Sequence, residues 1–459
     1  MLEKRLLEEI LGIAISTGAD FAEVFCERTR NGNVRLMGGQ IDTAMDEVTS
    51  GVGIRAFQGT RTVYGSTSDI TRAGLIKCAK SVAEAIGEGG SESRVLLSER
   101  IFPNIHGIKN NPVSAEMKYK CDLLRAACSS ARGYDERIVQ AVGTLISVDR
   151  SIQIANTEGL LTADRHVRTR MAINAVAAKD GENQSGSSSP GAGMGLELFD
   201  SIKPCDIGRE AARQAVTNLT ADYCKAGKMP VAIENGFGGV IFHEACGHSL
   251  EATSVGVGMS QMCGKLGEVV ANEKLTAIDD GTIPNAWGSN NIDDEGNPTK
   301  RNVLIEKGVL KSYMVDRLGS RRMGVPMTGN SRRQNYTYEP TSRMTNTFID
   351  NGPDKNEDII ASIEYGLYAK SMGGGSVNPL TGAFNFAVNE GYIIRTGKIC
   401  EPVRGASLIG TGSQIIKDID MVGNNLARAQ GMCGSASGSV PTDVGQPLIR
   451  VSNITVGGR

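Results

Sequence analysis

Apolar side chains near the start of the chain fall at positions 2, 6, 7, 10, 11, 13, 14 and 15. That near-helical period predicts one amphipathic helix over Leu2–Thr17, ending near Gly18. From Phe21 to Tyr64 the pattern changes to short alternating segments broken by Gly and polar residues, which predicts an antiparallel meander. The period turns helical again over Thr71–Ile86, with Thr71 as N-cap, and GEGGSESR follows as a loop. A third helix is expected over Ser114–Arg132, capped by Ser114 with Glu116 in its first turn. Residues 136–178 read as strands around a turn at Asn156–Gly159. SGSSSPGAGM, residues 185–194, reads as a flexible loop, and Cys205–Leu219 as a fourth helix.

The order helix, strands, helix occurs twice before residue 225, which implies α+β architecture. The change in texture places a boundary at Tyr223–Lys228. Beyond it the segments are strand-like with many turns, among them KRNVLIEKGVLKSYMVD, GYIIRTGKICEPV and PLIRVSNITVGG. The expectation is an N-terminal α+β domain over 1–225, either one unit or two subdomains at 1–100 and 101–225. A mostly-β C-terminal domain over 226–459 follows.

Charge and composition narrow the function classes. Lys and Arg number 49 against 51 Asp and Glu in 459 residues, and aromatics are 5%. There is no global basic field and little material for base stacking, so a nucleic-acid partner is not expected. No run approaches ~18 uninterrupted apolar residues, so no membrane-spanning helix is expected. MLEKRLLEEI lacks the apolar core of a secretory signal. The ten cysteines include no CxxC pair. Reduced thiols in a cytoplasmic protein are the expectation.

The candidate chemistry lies in a short stretch. Of four histidines, two fall in His243-Glu244-Ala245-Cys246-Gly247-His248. The segment GGVIFHEACGHSLEA reads as a helix, and histidines beside a carboxylate on a helix are how many zinc hydrolases present ligands and a base. The spacing is unusual. Histidines at i and i+4 lie about 40° apart around a helix, but those at i and i+5 lie about 140° apart. Two such imidazoles meet one ion only if the helix is distorted, by a π-bulge or by unwinding at Gly247. On spacing alone, two unrelated histidines on a regular helix remain an open alternative. GGGS at 373–376 and GTG at 410–412 lack the GxxxxGK[ST] form, so nucleotide binding is not expected.

Beyond the spacing, several long blocks in one order carry a family resemblance. They are GFGGVIFHEACGHSLEA, GKLGEVVANEKLTAIDDGTIPNAWGS, IDDEGNPTKRNVLIEKGVLKSYMVD, MTGNSRRQNYTYEPTSRMTNTFI and GQPLIRVSNITVGG, with VRLMGGQID and SGVGIRAF matching more loosely. The chain resembles the catalytic, TldD-type subunit of the TldD/PmbA (TldD/TldE) metallopeptidase family. The resemblance implies Zn²⁺ held by His243, His248 and Cys433, with Glu244 as the catalytic glutamate. It also implies short or unfolded peptides as substrates, cut inside a cavity enclosed by two subunits. The partner is then a second copy of this chain or a motif-less TldE/PmbA-type subunit. Cys246 is read as a buried-core or helix-face thiol, Cys263 follows a Gly/Met-rich segment and is not expected at the site, and His106 and His166 are read as surface or satisfied histidines. Arg332, Arg333 and Arg343 either order loops around the cleft, meet a substrate carboxylate, or are solvated or structural. Two other functions stay open: an idle metal-binding assembly subunit, and a cysteine hydrolase using Cys433.

Overall fold

The computed structural model describes residues 1–87, 94–378 and 381–459. Most of the loop expected after the second helix therefore lies outside the described residues. The first part of the chain builds an antiparallel sheet from β1 (Phe21–Met37), β2 (Gln40–Gln58), β3 (Arg61–Thr67), β4 (Ser98–Glu99), β5 (Ile138–Asn156), β6 (Leu160–Lys179), β7 (Glu182–Ser188) and β8 (Gly191–Ala192), with β4 the one strand that runs parallel to its partner. β1 pairs with β5 from Glu23↔Asn156 to Met37↔Val142, so both helix–strand–helix passages share one sheet.

The helices α1 (Lys4–Ala14), α2 (Arg72–Ile86), α3 (Met117–Arg132), α4 (Leu198–Ser201) and α5 (Pro204–Thr220) come from the same region. Alternation along β1 explains where the long ones pack. Ala22, Val24 and Cys26 meet the apolar stripes of α1 and α2, and Val34 and Leu36 meet those of α3 and α5. All four long helices thus cover one face of the sheet. Thr71 caps α2 as expected, its side chain accepting from Gly74 N. Ser114 does not cap α3: its hydroxyl donates to Asn111 O at 3.4 Å, and the helix starts at Met117. The expected flexible loop at 185–194 is largely strand. β7 pairs along β6, and Ser187 N donates to Gln214 Oε1 of α5 at 2.7 Å, which gives this polar stretch fixed backbone partners.

The opposite face of the first sheet carries alternate residues of the same strands, and it faces the second half of the chain. Phe25, Ile152 and Ile154 pack on Ile292. Arg55, fully buried, pairs with Glu23 at 2.9 Å and with Glu295. Arg55→Ala leaves buried Glu295 without its cation and buried Glu23 with Arg333 alone, and is expected to cost about 3–5 kcal/mol of stability. The readout is the urea unfolding midpoint, and an unchanged midpoint would contradict this account.

The second half is strand-rich, so the chain as a whole is α+β. Besides a two-stranded pair of Ser331–Arg332 with Thr341–Ser342, among the described residues it contributes an eight-stranded and a six-stranded sheet. The larger begins with β9 (Asp222–Tyr223) and β10 (Gly227–Ile233) and includes Tyr365–Val377, Ala383–Arg395 and Ile449–Gly457. The smaller ends in Gly438–Gln446 and the edge strand Ala427–Ser435. One apolar core joins the two sheets, with Val231, Ile233 and Leu367 from the larger and Leu304, Val440 and Val444 from the smaller. The helix α6 (Val240–Ala245) lies in that core. Among the described residues no helix is long and apolar enough to cross a membrane.

Candidate metal centre

The segment read as one helix is three pieces. A 3-10 turn over Gly236–Gly239 leads into α6, and a second 3-10 turn covers Gly247–Leu250. A Cβ at Gly239 would lie 2.4 Å from the Gly445 backbone, so only glycine lets the start of α6 reach strand Gly438–Gln446. That strand pairs with Ala427–Ser435, and Val440 lies opposite Cys433. Two close backbones therefore bring α6 to the strand that bears the cysteine.

Every residue of α6 is buried except Glu244. The core holds His243 rigidly and leaves the glutamate facing a cleft. The expected distortion is present, one residue earlier than Gly247: Cys246 adopts φ −129 and ψ −43 and ends α6. Gly247 serves close packing instead, since a Cβ there would lie 2.3 Å from Met344 Sδ. The break changes where His248 points. The two imidazoles come to 5.1 Å between centroids, with planes at 81°.

His243 Nε2 lies 3.2 Å from Cys433 Sγ, and His248 Nε2 lies 3.4 Å from the same sulfur. All three donor atoms fall within 4.8 Å of one another, the group of its kind found among the described residues. Donors on a tetrahedral zinc, with Zn–S near 2.3 Å and Zn–N near 2.05 Å, stand about 3.6 Å apart. The two sulfur–nitrogen distances fit such an ion after shifts of a few tenths of an ångström, and the two imidazole nitrogens, within 4.8 Å of each other, would close further on it, towards the roughly 3.3 Å of two nitrogens on one zinc. Glu244 Oε2 is 3.7 Å from His248 Nε2. Glu244, His248, Ser254, Ser376, Gly434 and Ser435 help line a cleft of about 430 Å³.

Charge couples the cluster in the metal-free protein. Burial raises the Cys433 thiol, but His243 and His248 outweigh it and hold it down at about 3. Burial lowers His248, but Glu251 and Cys433 outweigh it and raise it well above the usual imidazole value. Cys433 is thus poised as a thiolate. Cys246 is the opposite case, since burial pushes its thiol up to about 12. Cys263 is half-buried and donates weakly to Val255 O. Neither belongs to the cluster. His106 and His166 are buried rather than on the surface, and partnered: His106 Nδ1 accepts from Asn285 N at 3.0 Å, and His166 Nε2 lies 3.0 Å from Asp164.

Two residues support the cluster: Glu251, which the sequence did not single out, and Arg343, expected either to order loops around the cleft, to meet a substrate carboxylate, or to be solvated or structural. Glu251 Oε2 lies 3.2 Å from His248 Nδ1, which fixes the ring with Nε2 towards Cys433. Arg343 donates to Cys433 O, to Ser437 Oγ at 2.9 Å and to Gly438 O at 2.9 Å. Its Nε is also 3.9 Å from Glu251. The cysteine hairpin and the second histidine are therefore tied through one buried guanidinium. The only local signal for Glu251 is its position three residues after His248. Glu251→Gln is expected to weaken metal affinity by about 10–100-fold, the usual effect of removing such an orienting carboxylate. Competition against a chromogenic chelator measures it, and unchanged affinity would remove Glu251 from this role.

The comparisons with known proteins agree with these features. Family models described as PmbA/TldA metallopeptidase domain 1, central domain and C-terminal domain match residues 22–86, 110–219 and 226–458. The chain belongs to the PmbA/TldD metallopeptidase family. It is 37% identical to a protein of Haemophilus influenzae named metalloprotease TldD homolog, over 100% of this chain and 97% of that one. A crystal structure from Thermotoga maritima, described as a modulator of a DNA gyrase, aligns with TM-score 0.80 at 22% identity over 99% of both chains. TldE from Thermococcus kodakarensis aligns with TM-score 0.75 at 20% identity, also over 99% of both. These two solved structures share the fold. The family assignment makes this PmbA/TldD member a metallopeptidase, hence a hydrolase.

Proposed function

We propose that the chain is a zinc peptidase acting on short or unfolded peptides, with His243, His248 and Cys433 as metal ligands and Glu244 as general base. The observation that carries this reading is the convergence of two imidazoles and one thiol beside the one solvent-facing residue of α6. Two nitrogen donors and a sulfur favour zinc over magnesium or calcium. Zinc bound there would polarise a scissile carbonyl and acidify a water. Glu244 takes a proton from the attacking water and delivers it to the leaving amine. Glu251 and Arg343 hold His248 and the Cys433 hairpin in place for that work.

The size of the cleft favours an extended chain over a folded domain. Ala427–Ser435 is an edge strand, and a peptide added beside its Cys433 end would be recognised mostly through its backbone. We read 1–225 and 226–459 as two domains. We also read the working site as a cavity closed by a second subunit, either another copy of this chain or a TldE/PmbA-type partner. The ten unpaired cysteines support a cytoplasmic setting.

A specific observation favours a second reading: Cys433 Sγ within 3.4 Å of two imidazoles is also the geometry of a cysteine hydrolase. Chelation separates the two. The metal reading expects peptide cleavage to vanish on dialysis against a chelator and to return with Zn²⁺. Cleavage that survives metal removal and stops on thiol alkylation would establish the cysteine mechanism instead.

A further inference from the structure

Between the helix-free face of the first sheet and the loops of the second half lies a cavity of about 500 Å³. Five arginines line it: Arg150 of β5, Arg168 and Arg170 of β6, and Arg332 and Arg333 from the second half. Two of them are matched by acids. Arg150 pairs with Glu27 at 3.1 Å and with Asp294 at 3.5 Å, and Arg333 pairs with Glu23 at 3.2 Å. The other three have neutral partners. Arg168 donates to Trp287 O, Ser289 O and Asn290 Oδ1. Arg170 donates to Ser189 and to Gln430 O. Arg332 donates to Met344 O and Thr442 Oγ1. Among the described residues, no carboxylate comes within the 4.0 Å of an ion pair for these three.

That arrangement is costly as it stands. Arg168 is 4% exposed and Arg332 3% exposed; Asp294 attracts both without pairing closely with either, and a buried cation so incompletely compensated is unfavourable. Burial, with Arg332 and Arg150 nearby, pulls Arg168 down to about 9, and burial pulls Arg332 down to about 10. Both remain charged at neutral pH. The lining thus sets five arginines against Glu27, Glu47 and Asp294, an excess of positive charge around a space large enough for a side chain. It also adjoins the cluster. Met432, Val440 and Pro441 form part of its wall. Met432 precedes Cys433, and Val440 is the ladder partner of Cys433. Met432 is 52% exposed, so the wall reaches solvent there.

We propose that this cavity is a carboxylate subsite, which takes an acidic side chain or the terminal carboxylate of the peptide held at the neighbouring cluster. The planar forks of Arg168, Arg170 and Arg332 suit a carboxylate, and Trp287 supplies an apolar surface for the rest of the residue. The proposal rests on the peptidase reading for the nature of its ligand.

The test uses the zinc-loaded full chain carrying Glu244→Gln, so that binding is read without turnover. Calorimetry follows a series of peptides in which a single Glu is moved along a neutral sequence, each with a free or an amidated C-terminus. One Glu position, or the free terminus, is expected to tighten binding by about 10–100-fold over its neutral counterpart, as charge-assisted hydrogen bonds do. A gain at a Glu position assigns the subsite to a side chain, and a gain with the free terminus assigns it to the chain end. The gain is expected to vanish in Arg170→Gln and Arg332→Gln while the neutral peptide still binds. Arg170 is half-buried, so its variant remains informative even where Arg332→Gln does not fold. Binding that no carboxylate improves, or a gain that survives in Arg170→Gln and in any folded Arg332→Gln, overturns the proposal. Turnover of the neutral peptide by the unsubstituted protein is measured in parallel, and its absence counts against the peptidase reading and not against the subsite.

Discussion

Glu244→Gln is expected to lower kcat by roughly 10²–10⁴-fold, the range that positioned acid–base groups supply, while metal content and KM stay near those of the unsubstituted protein. The substitution keeps the shape of the side chain and removes its basicity. α6 leaves Glu244 as its one residue outside the core, so the exchange disturbs no packing. Its carboxylate stands 3.7 Å from His248 Nε2, beside the donor cluster without being one of its donors. A group that acts only on the proton in flight affects the transition state and not substrate binding, so the loss falls in kcat. Zinc analysis and steady-state kinetics on the same preparation decide the matter. Full turnover with metal bound would remove Glu244 from the mechanism. Loss of both metal and turnover would make it a ligand instead of a base.

Local chemistry was legible wherever it alone decides structure. The meander over β1–β3 shows in its alternation, and its tight turns carry Gly38, Gly39 and Gly59 at positive φ. Thr71 caps α2 because an N-cap needs only the next three residues. Readings failed where distant partners intervene. Residues 185–194 look like a linker by composition, yet β6 and Gln214 give them strand partners. The pairing of β1 with β5 joins segments over 100 residues apart, and nothing in either strand names the other.

The site divides in the same way. His243, Glu244 and His248 announce themselves by adjacency, and the i, i+5 spacing correctly demanded a broken helix. The break falls at Cys246, and Gly247 instead permits close contact with Met344. Cys433 lies 185 residues beyond His248, and only family resemblance singled it out among ten cysteines. Glu251 was illegible as a site residue, and Arg343 was legible only as a residue that orders loops around the cleft, meets a substrate carboxylate or is structural, because both roles exist only once the hairpin and the broken helix meet. The arginines at 332, 333 and 343 are not solvated: all three are buried, and Arg333 and Arg343 almost completely.

Cys433→Ala is expected to abolish stoichiometric zinc binding, with affinity falling by more than the ~10–100-fold of an outer-shell change. Cys433 supplies the only anionic donor of the cluster, and a bare pair of imidazoles leaves the ion's charge uncompensated. The sulfur is also central, with both histidine nitrogens within 3.4 Å of it. Because an ion that binds only the folded chain stabilises it, added zinc should raise the Tm of the unsubstituted protein and leave that of Cys433→Ala unmoved. The same sulfur gives an independent readout in the metal-free protein. His243 and His248 hold its thiol at about 3, so it is a thiolate at neutral pH, and the thiolate is the form that alkylates. Iodoacetamide followed by peptide mass mapping should label Cys433 in the metal-free chain, with zinc suppressing that label while exposed Cys400 still reacts. Cys246, its thiol pushed up to about 12 by burial, should stay unlabelled in both states. Normal zinc content in Cys433→Ala, or labelling of Cys433 that zinc does not slow, would remove the sulfur from the ligand set.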